Sequence, residues 1–321
     1  QRARANNSAA IIRNRIKRKE FDQYWQLIKD SNAGEPGIFW TNDPRYGSNP
    51  CCEISLRPFT FCNLNEINAG VLLPNKAETN GNYYVIGRDN FYNACKSAAF
   101  FGTLQAGFTD FHYLRNCWKK NSEKDALVGI GITGICNGDL MELHKIYPDI
   151  LKEGANIVKE ENSRIADLIG INKAARTTTV KPSGTSSLVL GVSSGIHAWH
   201  STQYIRNMQT GVGTDLYNYF VVNHSELIKV MDYDPNSSVI GIPVKSPQNA
   251  IFRNDETAIS MLERTRLFNI EWVQEGYRTG PNHNNVSATC SVKDDEWDKV
   301  GNWIWENRKI CSGISILPFN G

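Results

Sequence analysis

The stretch that decides the fold is Thr41–Pro58, which reads TNDPRYGSNPCCEISLRP. A turn is predicted before its centre, and the proline at position 50 favours an extended chain there. Because side chains alternate along an extended segment, Asn49, Cys51 and Glu53 are expected on one face and Cys52 on the other. One face would then present an amide, a thiol and a carboxylate together.

A second thiol follows at Cys62, in the sequence FCNL. A thiol and a carboxylate at one place indicate a reactive site. The same residues also fit a buried strand whose cysteines are there by chance. Residue chemistry alone leaves both interpretations open.

The composition is that of an ordinary globular protein. The chain has 321 residues, of which 40% are hydrophobic and 21% charged, with a formal net charge of +2. This length allows one large α/β domain or two smaller ones. Neither nucleic acid nor a membrane is expected as a partner, because the charge balance is near neutral and the apolar runs are too short to span a bilayer.

Cysteine usage indicates a reducing compartment. The eight cysteines include no Cys-x-x-Cys pair, so neither a zinc ribbon nor a thioredoxin-like site is predicted. The first residues lack the hydrophobic stretch of a signal peptide, so reduced thiols in the cytoplasm are expected. Since the chain begins without Met, it is expected to start inside a longer or processed product.

Helical and strand patterns alternate, which predicts an α/β fold with a largely parallel sheet or barrel. The spacing of apolar residues predicts helices around 21–28, 89–105, 150–169, 255–277 and 294–304, and strands at 126–135, 177–180, 286–292 and 314–317. His197 and His200 lack an acidic or cysteine ligand at a helpful spacing. They are therefore interpreted as loop histidines, and no metal site is predicted.

Three motifs follow one another along the chain: NPCCEI at 49–54, CNL at 62–64 and KPSGTSS at 181–187. They resemble the catalytic subunit of ribonucleotide reductase. The likeness is greatest to the adenosylcobalamin-dependent (class II) enzymes, especially the monomeric ribonucleoside-triphosphate type. It implies one catalytic domain over residues 1–321. Its fold would be the ten-stranded α/β barrel of the thiyl-radical enzymes, with the Cys51 loop as a central finger loop.

The resemblance also implies roles for the residues of this loop. Cys51 would carry the radical that removes the ribose 3′ hydrogen, Glu53 would accept the 3′-hydroxyl proton, and Asn49 would orient the substrate. Cys62 would be one of the two redox cysteines. Its upstream partner and the C-terminal cysteine pair of the family are expected to be missing from this chain, and Cys52 is interpreted as packing.

The KPSGTSS motif follows a predicted strand and resembles the family's substrate phosphate-binding turn, made here by Pro182, Ser183, Gly184 and Thr185. A strand-to-helix turn with a capping hydroxyl is the alternative. Near the N-terminus, a polar stretch resembles the loop that relays effector identity to the substrate site, although a solvated terminus fits equally well. Its residues are Arg2, Arg4, Asn6 and Asn7.

The resemblance further implies adenosylcobalamin as cofactor and a ribonucleotide, in triphosphate form, as substrate. A deoxynucleotide effector and a thioredoxin-like reductant are the expected partners of a monomer or homodimer. Two alternatives stay open: the catalytic subunit of a class I or class III reductase, and a nucleotide-binding remnant of the fold without catalysis. The proline between Asn49 and Cys51 favours class II, and Glu53 argues against class III.

Overall fold

A computed structural model of the chain describes residues 8–33 and 36–319. Its strands are β1 (Ser8–Ile12), β2 (Gly37–Thr41), β3 (Gly47–Ser48), β4 (Ser55–Leu56), β5 (Asn63–Asn68), β6 (Val128–Thr133), β7 (Gln203–Gly211), β8 (Ile228–Met231), β9 (Asp234–Lys245), β10 (Thr289–Val292) and β11 (Gly313–Pro318). Its α-helices are α1 (Arg18–Ser31), α2 (Tyr83–Ala106), α3 (Asn116–Asp125), α4 (Asp139–Ile146), α5 (Ile150–Ile169), α6 (Ser186–Leu190), α7 (Asp215–Asn223), α8 (Ala258–Phe268) and α9 (Trp297–Glu306).

The principal sheet has the strand order β1-β2-β11-β10. Strands β1 and β2 are parallel, β10 and β11 are parallel, and β11 runs antiparallel to β2. A second sheet pairs β5 with β6 in parallel. The predicted strand at 177–180 lies between the two sheets, because Thr178 bridges Ile130 of β6 and Val180 bridges Val286 just before β10.

These bridges give the continuous order β5, β6, segment 177–180, β10, β11, β2 and β1. Every pair in it is parallel except β11 and β2. The predicted mixed α/β class is confirmed. The ten-stranded barrel is not confirmed, since the largest sheet among the described residues has four strands.

Helices cover the buried strands. All residues of β2 and β6 are buried, as expected for strands enclosed on both faces. Helix α5 has the predicted bounds and ends where Gly170 adopts a φ of 74°, a left-handed cap that suits glycine. Helix α2 packs against it. Helix α1 buries Phe21 against Trp40 of β2, with ring centroids 5.7 Å apart.

The helix predicted at 255–277 differs from the observed one at both ends. Helix α8 begins at Ala258, and its N-cap is Thr257, whose side chain accepts a hydrogen bond from Ser260 N. The prediction that Asp255 caps this helix is therefore wrong. Beyond Phe268 the helix widens into a π-helical segment at Asn269–Gln274, so the apolar spacing continues through a change of helical type.

A third sheet was not predicted. Strands β7, β9 and β8 form an antiparallel sheet in that order. Only Ser238 and Ile240 of its strands are buried, the other positions being partly or fully exposed, and helix α7 beside it buries no residue. The alternation of Ile240, Ile242 and Val244 along β9 was a strand signal that the prediction missed.

None of the described helices is long and apolar enough to cross a lipid bilayer.

Candidate active site

The stretch identified in the sequence forms a β-hairpin with its chemistry at the tip. Strands β3 and β4 pair antiparallel, and Asn49 closes the loop between them. Its backbone N–H donates to Ile54 O at 3.3 Å, and its side-chain Oδ1 accepts from Ile54 N at 3.0 Å. Asn49 therefore fixes the hairpin at its neck.

The tip itself is a turn, so the predicted extended conformation is wrong. Cys52 N donates to Asn49 O at 2.9 Å, and Cys52 has a φ of 60°. Such a reversal removes the strict alternation of side chains that would place Asn49, Cys51 and Glu53 on one face. A tight turn after Pro50 brings these groups together instead.

Backbone carbonyls dock the tip onto the surrounding strands. Ser287 Oγ donates to Cys51 O at 2.6 Å. Glu53 O accepts from Asn285 N at 2.9 Å and from Thr179 Oγ1 at 2.8 Å. The hairpin thus lies against the segments on both sides of the Val180–Val286 bridge, which positions its side chains relative to the sheet.

The two neighbouring thiols have different surroundings. Cys51 is exposed, whereas Cys52 is partly buried. A Cβ built on Gly313 would lie 2.9 Å from Cys52 Cβ, and Cys52 Sγ is 3.4 Å from Ser48 Oγ. These contacts support the interpretation of Cys52 as packing. Desolvation raises the pKa of Cys51, and the negative charge of Glu53 raises it further, so at neutral pH this thiol keeps its proton.

Glu53 is a buried carboxylate with incomplete hydrogen bonding. Only 3% of its surface is exposed, and its Oε2 has no hydrogen-bond partner among the described residues. Desolvation therefore raises the pKa of Glu53, while a hydrogen bond from the Asn49 side chain and the positive charge of Lys181 lower it in part. A carboxylate whose pKa is raised in this way is a stronger base than an exposed glutamate, which suits a group that accepts a proton and later returns it.

Cys62 lies behind the hairpin. It packs against a small apolar cluster made by Ile54, Leu127 and Ala175. Burial raises its pKa strongly, and the charge of Glu53 acts in the same direction, whereas the Arg176 guanidinium lowers it. Cys62 is thus next to Ile54, the residue that follows Glu53 in the hairpin.

The predicted phosphate turn is held differently from the expectation. Ser183 is buried, while Gly184 and Thr185 are exposed. The Ser183 hydroxyl donates to Glu66 rather than pointing to solvent. Pro182 precedes this residue at a partly buried position. The exposed part of the turn is thus Gly184 and Thr185.

Glu66 is the site residue that sequence reasoning missed. It accepts hydrogen bonds from the hydroxyls of Ser183 and Ser186, and Lys181 Nζ lies 3.1 Å from its Oε2. A signal was present, since an acidic residue four positions after the thiol of Cys62, in the strand that begins at Asn63, was a candidate for the same site.

The remaining predicted residues lie elsewhere. Arg2, Arg4, Asn6 and Asn7 fall outside the described residues. His197 is used within the fold, because its Nε2 accepts from Thr289 N at 3.0 Å and its Nδ1 lies 3.1 Å from Ser194 O. In the ranges 8–33 and 36–319, no group of three or more His, Cys, Asp or Glu side chains is arranged to hold a metal ion.

A surface pocket opens beside the hairpin. Its volume is about 550 Å³, and it is lined by Asn49, Pro50 and Cys52 of the tip and by Ala10 and Phe39 of β1 and β2. The thiol-bearing residue that borders it is therefore Cys52 rather than Cys51. Pockets of 300–1,000 Å³ are typical of small-molecule sites. The tip therefore borders a space large enough for a nucleoside-sized group.

Comparison with known proteins gives a consistent picture. No family model matches the chain. The chain is 29% identical to the adenosylcobalamin-dependent ribonucleoside-triphosphate reductase of Euglena gracilis over 309 residues, which cover 89% of this chain and 38% of that protein. It is 25% identical to the enzyme of the same name from Lactobacillus gasseri over 363 residues, covering 99% of this chain and 45% of that protein.

The fold has a counterpart among solved structures. A crystal structure of a B12-dependent (class II) ribonucleotide reductase superposes with a TM-score of 0.76 at 20% identity, covering 98% of this chain and 46% of that one. The matches confirm the resemblance to adenosylcobalamin-dependent ribonucleotide reductases. The chain spans less than half the length of these relatives.

Proposed function

We propose that this chain carries the catalytic site of an adenosylcobalamin-dependent ribonucleoside-triphosphate reductase, which converts ribonucleotides to 2′-deoxyribonucleotides. The observation that carries the proposal is the hairpin tip. There an exposed thiol, Cys51, lies next to a buried carboxylate, Glu53, and a second thiol, Cys62, lies behind it. The named relatives add independent support.

Cys51 is the proposed site of the radical that removes the ribose 3′ hydrogen. Its exposure leaves the sulfur open to a substrate. A raised pKa keeps the thiol protonated, which suits a group that gives up a hydrogen atom rather than a proton. The anchored carbonyl of Cys51 holds the sulfur in place for this step.

Glu53 is the proposed acid and base. Its carboxylate accepts the proton of the ribose 3′-hydroxyl and returns it later in the cycle. The unpartnered Oε2 supports this role, because that oxygen is free to accept the proton. Asn49 orients the site, since its side chain joins the neck of the hairpin to the carboxylate of Glu53.

Cys62 is the proposed source of one of the two thiol hydrogens. Replacing the 2′-hydroxyl by hydrogen releases water and consumes two electrons, so two thiols become one disulfide. Cys62 supplies one thiol and a second cysteine supplies the other. A thioredoxin-like reductant then restores both.

Adenosylcobalamin is the proposed cofactor. A radical source can activate a thiol only if the thiol is accessible, and Cys51 is exposed at the tip of the hairpin. Its chain neighbours Pro50 and Cys52 line the pocket of about 550 Å³. Asn49 and Pro50 would border the nucleoside part of the cofactor or the substrate there. When bound, the cofactor supplies the radical through cleavage of its cobalt–carbon bond.

We further propose that residues 1–321 belong to one ten-stranded α/β barrel domain with the hairpin inside. The continuous order from β5 to β1 supports this. The exposed Gly184 and Thr185 would contact the substrate phosphates. Arg2, Arg4, Asn6 and Asn7 would form part of the loop that responds to a deoxynucleotide effector. A monomer or homodimer in the cytoplasm is the proposed form.

The test is a single-turnover assay with the protein, dithiothreitol, a ribonucleoside triphosphate and adenosylcobalamin. We expect a change in the cobalamin absorption spectrum together with deoxynucleotide, and neither signal from Cys51→Ala. Turnover that needs a separate iron or manganese subunit instead would establish a class I enzyme. Nucleotide binding without any product would indicate a non-catalytic remnant of the fold.

A further inference from the structure

Glu66 sits beneath the KPSGTSS turn and engages its polar side chains. Only 6% of its side-chain surface is exposed. The Ser183 hydroxyl donates to Oε1, the Ser186 hydroxyl donates to Oε2, and Lys181 Nζ lies 3.1 Å from Oε2. One carboxylate thus holds two hydroxyls and an ammonium group of the same turn.

The backbone conformation of the turn requires stabilising contacts of this kind. Ser183 has a φ of 57°, a left-handed conformation that is uncommon for residues other than glycine. Backbone of this kind persists where the surroundings over-determine it. The contact with Glu66 supplies that constraint, together with the bond from Ser187 N to Ser183 O at 3.0 Å.

The same contacts decide which groups are available to a ligand. The hydroxyls of Ser183 and Ser186 are directed to Glu66, and Ser183 is 5% exposed. On the opposite side of the turn, Gly184 and Thr185 are exposed. A Cβ built on Gly184 would meet no atom within 4 Å, so this side is open space.

We propose that Glu66 is a positioning residue for substrate binding: it fixes the turn from below so that Gly184 and Thr185 receive the nucleotide phosphates. Ser183 and Ser186 then serve the turn itself and do not contact phosphate. This inference rests on the proposed function, because it concerns the phosphates of that substrate. The sequence motif alone does not say which residues of the turn donate hydrogen bonds to the phosphates, and the proposal assigns this role to Gly184 and Thr185.

Glu66→Gln is the primary test, because it keeps the size of the side chain and removes its charge. The glutamine oxygen can accept one hydroxyl, but its amide nitrogen cannot accept the other, and the ion pair with Lys181 is lost. We expect the KM for CTP and its Kd, measured without cobalamin, to rise about tenfold. We expect kcat to change less than threefold. The exposed Glu160 of α5 provides the matched control, Glu160→Gln, with all constants unchanged.

Ser183→Ala and Ser186→Ala separate positioning from direct contact. Each is expected to raise the KM severalfold in the unaltered protein and to add little once Glu66 is glutamine, because all three act through one contact. Full additivity, or tighter CTP binding by Glu66→Gln, would show that the hydroxyls bind phosphate and would overturn the inference. A lower Tm with unchanged KM and Kd would overturn it as well, since that is the signature of a purely structural role.

The design distinguishes this inference from the function on which it rests. If the unaltered protein reduces CTP and Glu66→Gln binds CTP normally, only the role of Glu66 fails. If the unaltered protein neither binds nor reduces CTP, the proposed function fails and the inference fails with it. Should Glu66→Gln not fold, Ser186→Ala alone is expected to raise the Kd for CTP in a folded protein, and an unchanged Kd would refute the proposal.

Discussion

Replacing Glu53 by glutamine is expected to abolish fast turnover and to stabilise the protein at the same time. Glu53 is buried at the hairpin tip, and within residues 8–33 and 36–319 its Oε2 has no hydrogen-bond partner. The substitution keeps the shape of the side chain and its contact with Asn49. It removes the negative charge that burial disfavours.

The expected loss of activity follows from the chemistry of the side chain. An amide cannot accept the 3′-hydroxyl proton, and general acid–base groups contribute about 10²–10⁴-fold to a rate. The parent rate should also fall on acidification, because the pKa of Glu53 is raised and the base must be ionised. The Glu53→Gln variant should lose this acidic limb of the pH profile.

The expected gain in stability depends on pH. The folded state binds the Glu53 proton more tightly than the unfolded state, so ionised Glu53 lowers the free energy of unfolding at neutral pH. An unpartnered buried polar group costs about 1–3 kcal/mol, and more when it is charged, so the neutral glutamine amide costs less than the ionised carboxylate. Glu53→Gln should therefore raise the free energy of unfolding by about 1 kcal/mol at pH 7. This gain should disappear as the pH falls toward the ordinary pKa of a glutamate, where the parent residue is protonated.

Single-turnover kinetics and thermal unfolding at pH 7 and pH 5 measure both effects, with the exposed Glu160→Gln as control. A Tm rise of about 1–2 °C per kcal/mol is the appropriate scale for 321 residues, because the entropy of unfolding is about 2.1 cal/mol/K per residue. A variant within threefold of the parent rate would refute the proton-transfer role. A variant less stable than the parent at pH 7 would refute the electrostatic reasoning.

The other predictions concern positions around the hairpin and the phosphate turn. Cys51→Ala should abolish turnover while leaving the Tm and nucleotide affinity nearly unchanged, because the side chain is exposed; a tenth of parent activity would contradict the assignment. Cys52→Gly should keep activity, since glycine suits the φ of 60° there. Gly184→Val should fold, because a Cβ at position 184 meets no described atom within 4 Å. It should raise the KM, because the valine side chain would keep the phosphates away from the backbone; unchanged affinity would move the phosphate site elsewhere. Gly313→Ala should lower the Tm and the rate together, since its Cβ would lie 2.9 Å from Cys52 Cβ.

Local sequence patterns predicted the helices and buried strands well where one face is consistently apolar. Helix α5 illustrates this, since its bounds match the spacing of its apolar residues. The sheet of β7, β9 and β8 was missed although Ile240, Ile242 and Val244 alternate in β9, because only Ser238 and Ile240 of its strands are buried and its side chains therefore do not mark a core-facing side clearly. The π-helical segment after Phe268 was also beyond local reasoning, since an apolar period does not distinguish helix types.

The roles of the candidate site residues stay predictions, and part of their predicted geometry was wrong. Cys51, Glu53 and Cys62 were identified from the sequence motifs; in the structure Cys51 is exposed, Glu53 is buried and Cys62 packs beside Ile54. Strict alternation at the tip was wrong, because a turn replaces the extended chain. Glu66 was missed because its partners, Ser183 and Ser186, are more than a hundred positions away in the sequence. Contacts of that range are set by tertiary structure, so the nearness of Glu66 to Cys62 in the sequence did not reveal its partners.

The way the hairpin tip is attached has a consequence for redesign. The bonds from Ser287, Asn285 and Thr179 are all made to main-chain oxygens of residues 51 and 53. Every amino acid has a main-chain carbonyl oxygen, so these hydrogen bonds do not depend on which side chain occupies position 51 or 53. A selenol, a hydroxyl or another reactive group introduced at position 51 would be displayed at the same place. The backbone of the hairpin therefore fixes the position of residue 51, and the reactive group at that position can be changed without changing where it is presented.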